Sequence, residues 1–232
     1  MEKIKLDFNL ILQWDVAAWK RAVLYWDAQC RQKAWSLREG LELGARDGSL
    51  SYYFAKRYGS RMHCTDYEGP TEYARQFHEK EGVAELIKYA SADARELPYA
   101  DNTFDFVVFK SILGVVGSKG RYHLQQKAMK EMHRVLKPGG VLLFAENARA
   151  SALHQWARRQ FVPWGNSWRY VSYAEMEELL SFFSAWELKS TGFFSAFVPR
   201  PVWLNNLIAH LDVGAQVFPK KWRYILYGYG LK

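Results

Sequence analysis

Short apolar strand segments alternate with helical ones from residue 36 to residue 147, and this alternation limits the fold more than any other feature of the sequence. The clearest strand is Phe104-Asp-Phe-Val-Val-Phe109, rich in residues that suit a pleated, buried surface. Three strands precede it: one ending at Leu43, Arg61–Asp66 and Leu86–Ala90. A fifth, Val141–Ala145, follows it. Helices are expected at Ser49–Tyr58, stopped by Gly59, at Thr71–Glu81, stopped by Gly82, and at Tyr122–Leu136, closed by Lys137-Pro-Gly-Gly140. Such βαβ units build a parallel sheet, and right-handed crossovers place helices on both of its faces.

The flanks read differently. Leu10, Ile11, Trp14, Ala18, Trp19, Ala22, Tyr25 and Trp26 recur at helical spacing and predict a helical extension over residues 9–35. After residue 147 the pattern predicts helices at Ala148–Phe161, from a Ser172-Tyr-Ala-Glu175 capping box to Phe183, and at Pro201–Leu211. Trp186–Thr191 and Trp222–Tyr227 supply two more strands. The expectation is one α/β domain over 1–232, with a doubly wound, mostly parallel seven-stranded sheet. Residues 1–35 would form a helical cap, 36–147 the α/β core, and 148–232 a lid followed by the last strands.

Composition narrows the functional classes. Lys plus Arg number 32 against 24 Asp plus Glu, a net charge of +8 that favours an anionic partner. Two cysteines, Cys30 and Cys64, exclude a disulfide framework and a cysteine metal cluster. The N-terminus lacks a signal-peptide pattern, and no apolar run approaches a membrane span, so a cytoplasmic location is expected.

Three features fall at strand ends. Glu42-Leu-Gly44-Ala-Arg-Asp-Gly48 closes the first strand, where glycines permit a tight turn and close ligand approach. Asp66 lies 22 residues after Gly44, where a carboxylate can accept both ribose hydroxyls. Asp93 follows the third strand and is placed to accept from an adenine amine. A dinucleotide G-x-G-x-x-G is missing because Arg46 stands at its second glycine, and a P-loop is missing too. A nucleoside cofactor without a phosphate, S-adenosylmethionine, is the better expectation, with S-adenosylhomocysteine as product.

LELGARDG, Asp66, SADARELPYADNTFDFVVF and EMHRVLKPGGVLLFAEN together resemble the class I S-adenosylmethionine-dependent methyltransferases, whose fold is Rossmann-like, over residues 38–147. The resemblance implies that Glu42, Gly44 and Gly48 surround the methionine and ribose portions. It implies that Asp66 binds the ribose, with Tyr67 beside the adenine, and that Asp93 and Ala94 lie near the adenine amine. Lys110 and Ser111 would lie below the transferred methyl. Arg46 departs from the family's small residue and could reach the cofactor carboxylate.

Methyl transfer needs alignment first, and a base only for a protonated acceptor. His154 is the candidate base, with Lys110 a second catalytic candidate. Glu146 and Asn147 end the fifth strand and are expected to face the cleft. Arg158, Arg159 and Arg169, with Trp156, Trp164, Trp168 and Tyr170, form a basic and aromatic stretch suited to a carboxylate or phosphate. Tyr25 could close the pocket from the other side. No Asn-Pro-Pro-Tyr element follows strand four, which argues against amino-methylation of nucleobases or glutamine.

The function so implied is methyl transfer to oxygen or nitrogen of a small, acidic or glycan-like acceptor. A cofactor-binding regulator or partner subunit without transfer is the first alternative, and an RNA methyltransferase the second. The dispersed cations and the lack of an RNA-binding module weigh against nucleic acid. Phe193, Phe194, Phe197, Val198, Trp203 and Leu204 with Lys220 and Lys221 would suit peripheral membrane contact. Homo-oligomerisation stays open.

Overall fold

The computed structural model describes residues 7–12, 16–163, 165–198, 202–212 and 217–232. Trp14, Trp164 and Pro201, which the sequence reading used, lie outside these residues.

Seven strands form one sheet in the order β3-β2-β1-β4-β5-β7-β6. They are β1 (Glu39–Leu43), β2 (Arg61–Asp66), β3 (Ile87–Ser91), β4 (Phe104–Lys110), β5 (Leu136–Asn147), β6 (Ala185–Thr191) and β7 (Ile225–Leu231). The first five pair in parallel, and β7 runs antiparallel between β5 and β6. The doubly wound, mostly parallel sheet is therefore as expected. Along β4, Phe106 and Val108 enter one core while Val107 and Phe109 enter the other. Successive strand side chains point to opposite faces, so both faces of the sheet are buried.

The helices are α1 (Phe8–Leu12), α2 (Val16–Lys33), α3 (Ser49–Tyr58), α4 (Glu72–Lys80), α5 (Leu113–Val116), α6 (Tyr122–Val135), α7 (Ala152–Phe161), α8 (Tyr173–Leu180) and α9 (Val202–Leu211). In α2, Trp19 and Trp26 are fully buried, and the Trp26 indole donates to the carbonyl of Gly228 in β7 at 3.1 Å. The extension is thus bolted to the sheet by rings read from sequence spacing.

Some elements differ from the sequence reading. The Lys137-Pro-Gly-Gly140 run does not close a helix before the strand. It lies inside β5, which begins at Leu136, where Leu136 pairs with Phe104 beside a bulge. β7 starts three residues later than expected, because Lys220–Trp222 form a 3-10 turn. The one-turn α5 was missed; its four residues are too few to show a helical period.

The strand order reverses between β1 and β4. In open α/β sheets that switch point opens a crevice at the carboxyl ends of the strands. Backbone strain gathers there. Arg46, Ser111 and Ala150 follow β1, β4 and β5, and all three are non-glycine residues with positive φ. Such conformations persist where surrounding structure forces them, often at functional sites.

Candidate functional site

The β1–α3 loop forms one wall of the crevice. Gly44 is exposed with φ +66, and a Cβ there would stand 2.2 Å from Cγ2 of Ile112 on the β4–α5 loop. Gly44 therefore lets two strand-end loops touch, a contact that no larger residue allows. Gly48 meets a similar limit against the ring of buried His78, whose Nε2 lies 2.8 Å from the Gly48 carbonyl. The Tyr89 hydroxyl lies 2.9 Å from the other ring nitrogen. Nothing in the sequence singled out this His78–Tyr89 prop.

Asp66 sits at the end of β2 as expected. One carboxylate oxygen accepts the backbone N–H of Arg46 at 2.8 Å, and the other accepts that of Tyr67 at 2.7 Å. A carboxylate has about four acceptor sites, so each oxygen keeps a lone pair for a ribose hydroxyl. The orientation is fixed by two adjacent backbones. This carboxylate and the glycine cradle beside it fit a ribose-bearing cofactor. Arg46 contributes its backbone to the site, while its side chain is 79 % exposed and lies 4.0 Å from Asp47.

Two expected acids are already engaged. Asp93 takes a bidentate ion pair from Arg95, with contacts of 2.6 to 3.0 Å, and that hydrogen bonding holds its carboxyl below the usual range. An adenine amine at Asp93 would share it with Arg95. The Arg95 guanidinium lies 6.0 Å from the ring of Tyr67, which is exposed, and Ala94 is half-buried between the two partners. Glu42 is buried and accepts the N–H groups of Leu50 at 3.2 Å and Ser51 at 2.7 Å. It fills the amino end of α3, where the helix dipole favours an anion. Burial pushes its carboxyl up to about 7. Glu42 thus braces the loop from beneath, with both carboxylate oxygens held by helix N–H groups.

Under the switch point, Lys110 ends β4 with its ammonium 5.2 Å from the Trp19 ring. Asn147 donates to the Ser111 hydroxyl and ties the end of β5 to that of β4. Glu146 corrects the sequence reading: it does not face the cleft. It is fully buried and accepts the N–H of Leu113 at 2.7 Å and of Asn147 at 2.9 Å, so it anchors the first turn of α5. Burial raises its carboxyl to about 7.

His154 is also corrected. It is buried, with Nε2 at 2.9 Å from the Phe193 carbonyl and Nδ1 at 2.7 Å from the Ser151 hydroxyl. Both nitrogens are spoken for, and the ring packs among Phe193, Phe197 and Tyr224. It fastens α7 to the segment after β6 and cannot act as the base. Burial lowers its pKa from 6.5 to about 4. A depressed histidine contributes stability that is lost as pH falls from the unfolded value through the folded one. Between pH 6.5 and 4.5 the margin of wild type over His154→Gln is expected to shrink by about 2 kcal/mol. Urea unfolding of both proteins at the two pH values checks this. Glu42 and Glu146 act with the opposite sign in both proteins and cancel in the comparison.

Tyr25 is the third correction. Its ring packs edge-on to Tyr227 at 5.5 Å under the Lys189 ammonium, against the β6–β7 side of the sheet. The long helix α2 carries it past the cleft.

A second wall is built by the segment after α7. Val171 bridges Ala148 beyond β5, and the Arg169 N–H donates to the Gly114 carbonyl on α5 at 3.0 Å. The segment therefore spans the carboxyl ends of β4 and β5. A pocket of about 270 Å³ opens there, lined by Arg149, Arg158, Arg159, Arg169, Trp168 and Tyr170 among others, with no acidic residue in its lining. Two arginines serve structure. Arg158 donates to the Ala148 carbonyl at 2.5 Å and lies over the Tyr170 ring at 4.1 Å. Arg169 bonds Gln125 at 2.6 Å, pairs with Glu175 and lies over the Tyr122 ring at 4.4 Å. Arg169 is thus a partner of Glu175 and not the free fork that its position suggested. The exposed Arg149 was missed from sequence, because an isolated arginine after a strand carries no local signal.

Among the described residues, no group of three or more His, Cys, Asp or Glu is arranged to hold a metal.

Residues 41–144 match a family model described as a methyltransferase domain. The match runs from β1 into β5 and includes the strand-end cradle; with the fold it supports a class I S-adenosylmethionine-dependent methyltransferase, a class whose cofactor is S-adenosylmethionine. The chain is similar to the ubiquinone/menaquinone biosynthesis C-methyltransferase UbiE of Brucella abortus strain S19, at 30% identity over 55% of this chain and 45% of that protein. It is also similar to the glycine/sarcosine/dimethylglycine N-methyltransferase of Actinopolyspora halophila, at 34% identity over 46% of this chain and 18% of that protein. The chain thus spans about half, or less, of the length of these curated relatives. Among solved structures, the Haemonchus contortus phosphoethanolamine N-methyltransferase 2 shares the fold with a TM-score of 0.63 at 16% identity, covering 92% of this chain and 53% of that one. The [4+2]-cyclase SpnF shares it with a TM-score of 0.61 at 17% identity, covering 91% and 80%.

Proposed function

We propose that this protein transfers the methyl group of S-adenosylmethionine to an oxygen or nitrogen of a small anionic acceptor. The observation that carries the acceptor class is the pocket beyond β4 and β5, which gathers four arginines and no acid. A carboxylate or phosphate is the natural counterpart of such a lining. The H. contortus enzyme was solved with phosphomonomethylethanolamine, so this fold accommodates a phosphate-bearing acceptor.

When bound, the cofactor supplies a methyl carbon already activated by its sulfonium. The chain's own residues position and desolvate. Asp66 orients the ribose, Gly44 and Gly48 let the cofactor approach the backbone, and Tyr67 flanks the adenine. Lys110, Ser111 and Asn147 form the floor, and Trp168 and Tyr170 wall the acceptor. With His154 sequestered, an acceptor atom that is unprotonated at working pH, such as a carboxylate oxygen, fits this reading best, because it reacts without a protein base.

Calorimetric titration with S-adenosylmethionine and S-adenosylhomocysteine is the first test, beside an Asp66→Ala variant. Micromolar binding by wild type, weakened at least about tenfold in the variant, supports the cofactor site; tenfold corresponds to about 1.4 kcal/mol. A methyl-transfer screen then pairs each acidic acceptor with its amide or dephosphorylated counterpart. Transfer to neutral members alone would overturn the acceptor class. Cofactor binding without turnover on any acceptor would favour a regulatory or non-transfer role, a reading that the sequestered His154 makes specific.

A further inference from the structure

The strongest unassigned feature lies in the segment between β6 and β7. Helix α9, Val202–Leu211, contains no Asp, Glu, Lys or Arg in ten residues. A helix of that composition normally belongs in a core. Yet Trp203 is 68 % exposed and Leu207, one turn on, is 56 % exposed.

The apolar surface extends beyond the helix. The buried Asp212, just past α9, accepts the N–H groups of Phe194 at 2.7 Å and Ser195 at 3.2 Å, which fixes that end of the helix beside Phe194. Phe194 lies 5.7 Å from Phe218, and Phe218 lies 6.4 Å from Trp222. Phe194, Trp222 and Val217 are all exposed, Val217 to 84 %.

The segment that carries this face is basic. From Leu188 to Lys232 the sequence holds six basic residues and a single acid, Asp212. That acid is buried and committed to Ser195. Lys220 and Lys221 stand exposed between Val217 and Trp222. Arg223 is turned inward to the carbonyls of Ser190 and Phe218 at 3.1 Å each. A row of exposed tryptophan and aliphatic side chains, edged by two exposed lysines, matches an interfacial element that sinks its apolar side among acyl chains while its cations meet phosphate headgroups.

We infer that α9 and the Val217–Trp222 turn form a docking surface for an anionic lipid bilayer. No helix among the described residues is long and apolar enough to cross a membrane, so the contact is peripheral. A bilayer suits this face better than a folded partner, because it requires no shape complementarity from scattered rings and selects them by depth. Helix α7 joins the two regions: Arg158 and Arg159 line the pocket, and His154 holds the segment that carries Phe194. A docked molecule would therefore hold its pocket near the headgroups. The inference does not depend on methyl transfer.

The test is co-sedimentation of the full chain with vesicles of phosphatidylcholine alone or of phosphatidylcholine and phosphatidylglycerol at three to one. Wild type is expected to bind the anionic vesicles at least about tenfold more tightly than the neutral ones, and less tightly as salt rises. Trp203→Glu with Leu207→Glu, and separately Lys220→Glu with Lys221→Glu, should each reduce binding at least about tenfold, the apolar and ionic contributions acting together. Unchanged melting temperatures would show that both variants fold. Failure of wild type to sediment with anionic vesicles overturns the inference, as does wild-type binding by folded variants. A doubled mass in light scattering, lost in the Trp203→Glu variant, would assign the face to a second copy of this chain instead. Salt-sensitive RNA binding that blocks sedimentation, lost in the lysine variant, would assign it to nucleic acid.

Discussion

A Gly44→Ala variant is expected to bind S-adenosylmethionine at least about tenfold more weakly than wild type, a loss of about 1.4 kcal/mol or more. Two independent costs fall on that methyl group. The first is backbone strain, since φ at Gly44 is +66 and an L-residue there costs roughly 1–2 kcal/mol. The second is overlap, because the new carbon would stand 2.2 Å from Cγ2 of Ile112. Overpacking of this kind costs roughly 1–3 kcal/mol. Ile112 cannot yield alone, because Ser111 before it and Leu113 after it are tied to Asn147 and Glu146. The strain therefore spreads into both loops that meet at the switch point. Taken together the variant should lose about 3 kcal/mol, or about 10 °C of melting temperature for a chain of this size. Gly59→Ala is the matched control. Its φ is +68, but open space surrounds the position. It should show the strain cost alone and leave cofactor affinity unchanged. Equal affinity losses in the two variants would mean that loop contact at Gly44 does not shape the site.

The contrast between these glycines also shows which parts of the molecule were legible in the sequence. Gly44 and Gly59 both read as turn glycines, and both have positive φ. Only the fold reveals that one of them touches Ile112, far away in the chain. The strand and helix pattern was readable because burial on the two faces of β4 needs only local apolar residues. Asp66 was readable because strand-end position and spacing together place it. His154 was misread for a physical reason. A histidine beside Trp156 on an amphipathic segment has the same local pattern whether it faces a cleft or a carbonyl 39 residues away. Glu146 failed in the same way, since a strand-end carboxylate can turn toward solvent or back under a helix turn. Arg169 looked like a substrate fork because its partners Gln125 and Glu175 come from α6 and α8. Sequence places residue types at strand ends, but the direction of each side chain depends on partners from distant segments.

That distinction among arginines leads to the second large effect. Replacing Arg149 and Arg159 together by alanine should lower kcat/KM for acidic acceptors about 100-fold, since a charge-assisted hydrogen bond contributes roughly 1.5–3 kcal/mol. Both line the pocket and both are exposed, so their guanidinium groups can reach an acceptor there. Arg158 and Arg169 are different cases. Removing Arg169 strands Glu175 and Gln125 without their cation, and removing Arg158 leaves the Ala148 carbonyl and the Tyr170 ring uncovered. Those variants would lose stability along with activity and could not report on recognition. The Arg149 and Arg159 pair should change KM for the acidic acceptor, leave the melting temperature within about 1 °C, and leave cofactor affinity untouched, because surface changes away from packed features are nearly neutral. A neutral acceptor of the same shape should be methylated equally by both proteins. If the double variant handles acidic acceptors as wild type does, the anion is read elsewhere, and the four-arginine lining is a scaffold for Trp168 and Tyr170 rather than the feature that selects the substrate.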